Sequence, residues 1–260
     1  MSYETITLSI TGQVATLTLN QPERLNALSV KMATEISAAL DALGDARALI
    51  LMGAGRGFCA GADLTQIATG GAAQGEASYA VLTEHFNPLI HRIAALPIPT
   101  IAAVQGAAAG IGCSLALACN FVIAGNSAYF LQAFVNIGLV ADGGVSWMLP
   151  RLVGLARATE MLLLGERIPA DKAQHWGLIY KAVVDETLPY ETETLARRLA
   201  DGPTATLALT RGNLAAALTS DFATTLQTEA EAQRVAAGSV DAIEGATAFL
   251  QKRKPVFKGK

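Results

Sequence analysis

Two loops of small residues and one carboxylate carry the chemistry this chain could do. Phe58-Cys59-Ala60-Gly61-Ala62-Asp63 follows a short apolar run, and Gly106-Ala107-Ala108-Ala109-Gly110-Ile111-Gly112 follows another. Asp142 lies in Leu139-Val140-Ala141-Asp142-Gly143-Gly144. Small residues let backbone approach a ligand closely. Two such loops can aim main-chain N–H groups at one oxygen, and an acid beside them can move a proton. That combination points to chemistry through an enolate, as an acyl thioester would undergo.

Each feature also has a plainer reading. A glycine loop after a strand is often only a tight turn. Asp142 could simply cap a helix beginning at Gly143, since Asp is a favoured N-cap. As a base it starts from a poor position, because an ordinary Asp titrates near ~3.9. Phe134, Ile137, Leu139 and Trp147 are near it in sequence, and burial among them would raise that value. Gly53-Ala54-Gly55-Arg56-Gly57 looks like a dinucleotide fingerprint. Such a loop must open into a helix and meet an acid ~20 residues later. Here the loop continues, and the region near position 73 holds only Gly and Ala. Gly144-Val145-Ser146 with Trp147 is not a hydrolase elbow. His85, His91 and His175 lack metal-ligand spacing; His91 and His175 read as helix-surface residues, and His85 as a border of an acyl pocket.

The elements that must position these residues follow from periodicity. Ile6, Leu8 and Ile10, and then Ala15, Leu17 and Leu19, alternate with polar residues around Thr11-Gly12-Gln13, which predicts a hairpin. Ser29 is a candidate N-cap for a helix carrying Met32, Ile36, Leu40 and Leu43. Ala48 to Met52, Pro97 to Gln105 and Phe121 to Ala124 read as strands buried on both faces. With helices between them, residues 1–200 are expected to form an α/β layered core. After Gly202-Pro203, Ala205 to Leu218 and Phe222 to Ala237 read as helices, so residues 201–260 are expected to form a helical region.

At 260 residues the chain has room for one large domain or one with a small appendage. Hydrophobic residues make up 52% and mean hydropathy is +0.37. No run approaches the roughly 20 apolar residues of a membrane span, so the surplus is expected in a core and a subunit interface. A net charge of −3 does not recommend nucleic acid as partner. Met1-Ser2-Tyr3-Glu4 does not read as a secretory signal, nor Lys258-Gly259-Lys260 as a peroxisomal address. Cys59, Cys113 and Cys119 lie in apolar surroundings without metal spacing. They are expected to be buried free thiols in a cytoplasmic protein.

The order of motifs resembles the crotonase (enoyl-CoA hydratase/isomerase) superfamily over nearly the whole chain. The resemblance rests on Leu19-Asn20-Gln21-Pro22-Glu23-Arg24-Leu25-Asn26-Ala27-Leu28, Gly57 to Leu64 and Pro99 to Gly106. It continues through Leu164-Gly165-Glu166, Trp176-Gly177-Leu178-Ile179 and Ala248-Phe249-Leu250-Gln251-Lys252-Arg253. It implies a spiral core of repeated ββα units in residues 1–200 and a helical trimerisation region in 201–260, giving trimers or hexamers. It implies that Ala62 and Ile111 supply two N–H donors to an oxyanion, with a helix starting near Gly112. It places Arg24, Leu25 and Ala27 beside the nucleotide of coenzyme A, and Ala60, Asp63 and Leu64 along the pantetheine. Phe249 and Lys252 would reach the coenzyme of a neighbouring subunit. Read without the resemblance, Arg24 is an ordinary exposed loop residue and Lys252-Arg253-Lys254 a solvated tail. Coenzyme A enters only as part of the substrate; no metal or redox group is implied.

The same alignment puts Ser114 and Phe134 where hydratases of the family carry two glutamates, and Asp142 where they carry glycine. Ser114 and Phe134 cannot do acid–base work, so hydration lacks its machinery. One acid suits a shuttle that takes a proton from one carbon and returns it to another. The stretch Phe130 to Arg151, with Phe86-Asn87-Pro88-Leu89, is similar to the branch that isomerises ring-1,2-epoxyphenylacetyl-CoA in bacterial phenylacetate degradation. That branch also shifts 3-enoyl-CoA to 2-enoyl-CoA. The alternatives are a hydratase or lyase with an unusual acid, a nucleophilic Asp142, and a non-catalytic acyl-CoA-binding scaffold. The Gly- and Ala-rich stretch Thr65 to Phe86 is expected to be mobile and to shape the acyl pocket.

Overall fold

Alternating apolar residues draw the first two strands together. β1 (Ile6–Thr11) and β2 (Val14–Leu19) pair antiparallel from Ile6↔Leu19 to Thr11↔Val14, and Ile6, Ala15, Leu17 and Leu19 are buried on one face. The structure, a computed structural model, describes residues 3–63 and 72–260. In α1 (Val30–Asp41) the Ser29 hydroxyl accepts from the Met32 N–H at 3.1 Å. Met32, Ile36 and Leu40 then face the core, at the spacing read from the sequence.

β3 (Ala48–Gly53), β4 (Thr100–Val104), β6 (Phe121–Gly125) and β9 (Lys181–Val183) complete a six-stranded sheet of order β1-β2-β3-β4-β6-β9. Every pairing from β2 onward is parallel. A smaller sheet joins β5 (Ala107–Ala109), β7 (Tyr129–Leu131) and β8 (Ile168–Pro169). The chain thus winds as a spiral. β4, β5 and α4 (Ile111–Leu117) form one ββα unit, and β6, β7 and α5 (Val145–Leu164) form the next. An earlier turn follows the same path: β3 leads to Cys59, which bridges Ala108 in parallel, and then to α2 (Ala72–Val81) and α3 (Asn87–Ala95).

The main core lies between the sheets and the helices inside the spiral. A second core lies on the other face of the large sheet. There Leu188, Ala196 and Ala200 of α7 (Leu188–Ala200) cover Ile50, Ile101, Ala103 and Ile123. Beyond α7 come α8 (Thr204–Ala217), α9 (Phe222–Ala237) and α10 (Val240–Leu250). Arg211 of α8 donates to the carbonyls of Ala94, Leu96 and Ile98 at the end of α3. Arg47 holds Thr204 Oγ1 at 2.7 Å and the Phe257 carbonyl at 3.1 Å. These helices leave Leu214, Phe222, Ile243 and Phe249 exposed. No helix among the described residues is long and apolar enough to cross a membrane.

The elements differ in detail from the periodicity reading at four places. The strand read as Pro97 to Gln105 is shorter, Thr100–Val104, because Pro97 and Pro99 flank it and Pro lacks an N–H for the ladder. Ala107–Ala109 is a strand, not loop; three alanines carry no alternation to read. Ala72 to Phe86, expected to be mobile, is helical, ending in a π-helical turn at Leu82–Phe86; 65–71 lies outside the described residues. Within the expected helical region 201–260 lies a third helix that was not read separately, α10, capped by the Ser239 hydroxyl accepting from Ala242 N–H.

Candidate active site

The two small-residue loops are brought together by β pairing. Cys59 N–H donates to the Ala107 carbonyl, and Ala109 N–H donates to the Cys59 carbonyl, each at 2.9 Å. Three residues past the Cys59–Ala108 pair, on each segment, stand Ala62 and Ile111. On its other side the first loop pairs with Leu28, which donates to Gly61 O at 2.7 Å and accepts from Asp63 N–H at 2.9 Å. Since alternate N–H groups of an extended chain point to opposite sides, Ala62 N–H faces away from Leu28. Ile111 is the first residue of α4, where a backbone N–H has no partner within the helix. Among the described residues neither N–H is donated to another group. Ile111, 1% exposed, is also a core residue through its side chain.

Close approach here depends on glycine. Gly61 has φ +113° and Gly110 φ +51°. A Cβ on Gly110 would lie 3.4 Å from Phe134 Cζ and 3.8 Å from Gly61 Cα. The two loops and the Phe134 ring therefore meet at one place. α4 starts at Ile111, one residue earlier than expected, and its dipole favours negative charge at this end.

Asp142 stands on a turn packed against the same helix. Gly143 and Gly144 both have left-handed backbone, φ +64° and +81°. A Cβ on Gly143 would be 2.5 Å from Ile111 Cδ1 and 2.7 Å from Ser114 Cβ. The capping alternative fails: α5 begins at Val145, its N-cap is Gly144, and no side chain caps it. The Asp142 carboxyl is half-buried, and its Oδ1 is enclosed without a hydrogen-bond partner among the described residues. Burial pushes its pKa up to about 6. Ser114, fully buried, and Phe134 add no acid beside it.

The residues assigned to coenzyme A by resemblance also converge in part. Ala60 N–H donates to the Leu25 carbonyl at 3.0 Å, and Arg24 forms an ion pair with Asp63 at 2.9 Å. Arg24, Leu25, Ala27, Ala60 and Asp63 thus share one pair of neighbouring segments. Leu64 lies outside the described residues. Phe249 is 83% exposed near the end of α10, which packs on α9. Within one chain the structure does not bring Phe249 or Lys252 to this group.

One organising residue was not singled out from the sequence. Asn26 is fully buried with φ +56°. It accepts from Gln21 N–H at 2.9 Å and donates to Ala54 O at 2.9 Å and Gly57 O at 2.8 Å. A buried amide is the rare side chain that can serve both donors and acceptors of a turn, and Asn tolerates left-handed backbone. Its place between a Pro turn and a Gly-rich loop was the available signal. The three cysteines are buried and free. Burial pushes the Cys59 thiol up to about 11 and those of Cys113 and Cys119 up to about 12, so none is a ready nucleophile. His91 and His175 are exposed on helices, and His85 is half-buried in the π-helical turn.

Comparison with known proteins bears on the same architecture. The chain is 45% identical over 261 residues, spanning 100% of both chains, to a protein of Rhodobacter capsulatus named probable enoyl-CoA hydratase. It is 44% identical over 250 residues, 95% of both chains, to the 1,2-epoxyphenylacetyl-CoA isomerase of Escherichia coli. Its fold superposes on the crystal structure of an enoyl-CoA hydratase from Bacillus anthracis with a TM-score of 0.92 at 31% identity, covering 99% of this chain and 100% of the other. The family described as enoyl-CoA hydratase/isomerase matches residues 9–260. By spiral fold and sequence alike, this chain belongs to the enoyl-CoA hydratase/isomerase family of enzymes, the crotonase family.

Proposed function

We propose that this enzyme isomerises acyl-CoA thioesters by moving a proton within an enolate. The N–H groups of Ala62 and Ile111 hold the thioester oxygen as it gains charge. Each such donor can contribute ~3 kcal/mol to the transition state. Asp142 takes a proton from one carbon of the acyl chain and returns it to another, which brings a double bond into conjugation with the thioester. The step moves one proton and no electrons, so it asks for no redox group. Coenzyme A is part of the substrate, held by Arg24, Leu25, Ala27, Ala60, Asp63 and Leu64. Phe249 and Lys252 would be supplied by a neighbouring copy in a trimer or hexamer, which the exposed apolar residues of α8 to α10 support. The setting is cytoplasmic.

The observation that carries this reading is the half-buried Asp142 carboxyl, raised to about 6, on a turn whose Gly143 packs against Ile111 and Ser114 of α4. A group poised near neutrality is a far better carbon base than an ordinary Asp. Ser114 and Phe134 give a hydratase no second acid. Candidate substrates are 3-enoyl-CoA and 1,2-epoxyphenylacetyl-CoA; the second is supported by the similarity to the Escherichia coli isomerase. Purified enzyme offered 3-hexenoyl-CoA and crotonyl-CoA in parallel tests the choice. Conversion of the first to 2-hexenoyl-CoA, with slow or no hydration of the second, is expected. Efficient hydration without isomerisation would establish the hydratase alternative.

A further inference from the structure

Asp142 has an unusual weakness for an acid that must meet a particular carbon. Among the described residues its carboxylate accepts no hydrogen bond, and Oδ1 is enclosed without a partner. Among the described residues nothing polar orients the side chain, and its aim depends on the backbone of its turn. That turn has little to hold it from within. Gly143 and Gly144 are both left-handed, and the Asp142 carbonyl receives only a long 3.5 Å bond from Val145 N–H.

The missing constraint comes from Ser114, one turn along α4 from Gly110. Its side chain is fully buried, so water cannot substitute for it. The hydroxyl oxygen lies 3.3 Å from the Asp142 carbonyl and 3.4 Å from the Gly110 carbonyl. A hydroxyl has one proton to donate. The Gly110 carbonyl already receives Cys113 N–H at 3.0 Å and Ser114 N–H at 3.2 Å. The Asp142 carbonyl is the needier acceptor, so the proton goes there. Packing reinforces the link: a Cβ on Gly143 would stand 2.6 Å from Ser114 Oγ and 2.7 Å from Ser114 Cβ. Gly143 thus packs directly on the Ser114 side chain, with no room between them for even a methyl group.

We propose that Ser114 is a positioning residue: its hydroxyl ties the Asp142 turn to the first turn of α4 and so fixes the acid relative to the Ile111 N–H. This rests on the isomerase reading. Ser114 touches no reacting atom; it sets the distance over which Asp142 moves the proton. Its replacement should slow proton transfer without weakening coenzyme binding, since a small misplacement of a catalytic group is enough to lower the rate.

The test compares wild type, Ser114→Ala, Ser114→Cys and Asp142→Asn on 3-hexenoyl-CoA, with affinity for free coenzyme A and thermal unfolding measured for each. Ser114→Ala is expected to lower kcat about 10- to 100-fold, with KM and coenzyme affinity within about twofold of wild type. The acidic limb of its kcat–pH profile should move to lower pH as the loosened turn admits water. Ser114→Cys, a weaker donor of similar size, should fall between. Wild-type kcat and pH profile in Ser114→Ala, with Asp142→Asn inactive, would overturn the positioning role alone. A fall in kcat matched by loss of coenzyme affinity and thermal stability would also overturn it, as damage to the fold. Full activity in Asp142→Asn would overturn the isomerase reading, and this inference with it.

Discussion

The Arg24 guanidinium lies 2.9 Å from the Asp63 carboxylate, which is 5% exposed while the arginine side chain is 43% exposed. The pair joins the Pro22–Arg24 turn to the segment that leaves the Gly61 loop. One end is therefore sheltered and fixed, and the other presents positive charge to solvent where a phosphate could share it.

Arg24→Gln is expected to raise KM for acyl-CoA about tenfold with kcat little changed, the pattern of lost uniform binding. It should also destabilise, because Asp63 loses a charge partner. Adding Asp63→Asn should recover part of that stability and none of the affinity. Steady-state kinetics and thermal unfolding of the single and double variants check both statements.

The activity should depend on pH through Asp142. As a base it must be ionised, and its pKa is raised to about 6 by burial. The kcat/KM profile for a 3-enoyl-CoA should therefore rise with pH and level off above about 6. A limb near the ordinary carboxylate value of ~4 would show that the acid is solvated in the free enzyme.

The same burial costs stability. Because the folded carboxyl near 6 binds its proton more tightly than the unfolded one at ~3.9, stability falls as pH rises between those values. Asp142→Asn removes the charge. It should be more stable than wild type above pH 6, by about 1–2 kcal/mol once residual solvent screening is allowed for. Below pH ~4 the difference should vanish. Denaturant unfolding at pH 4 and pH 7.5 reads it directly.

Asn26→Ala is expected to cost about 2–4 kcal/mol, since it leaves one N–H and two carbonyls unpaired in a buried turn and puts Ala at positive φ. The loss should appear in thermal unfolding and, through the Gly53–Gly57 loop it holds, in KM for acyl-CoA.

The sequence disclosed elements wherever side chains alternate or recur: the β1–β2 hairpin, the Ser29-capped α1 and the buried β3 were all legible. It did not disclose β5, whose three alanines have no pattern and whose place is set by pairing with Cys59 and Tyr129. The two small-residue loops and Asp142 were legible in the sequence, and Ala62 and Ile111 only through the family resemblance; the loops are brought together by that same pairing, and the Asp142 turn by Gly143 against Ile111. Asn26 escaped notice because its three hydrogen bonds go to backbone groups up to 31 residues away. The partnership of Ser114 with Asp142 spans 28 residues and needs two left-handed glycines, which no local reading shows.

The most direct measurement is NMR and mass analysis of the product formed from 3-hexenoyl-CoA in D2O, with wild type and Asp142→Asn side by side. Wild type is expected to give 2-hexenoyl-CoA, and turnover by the Asn variant to fall at least about 10³-fold with coenzyme affinity retained. Equal turnover by the two proteins, or product in which water rather than a proton has been added, would contradict the isomerase reading.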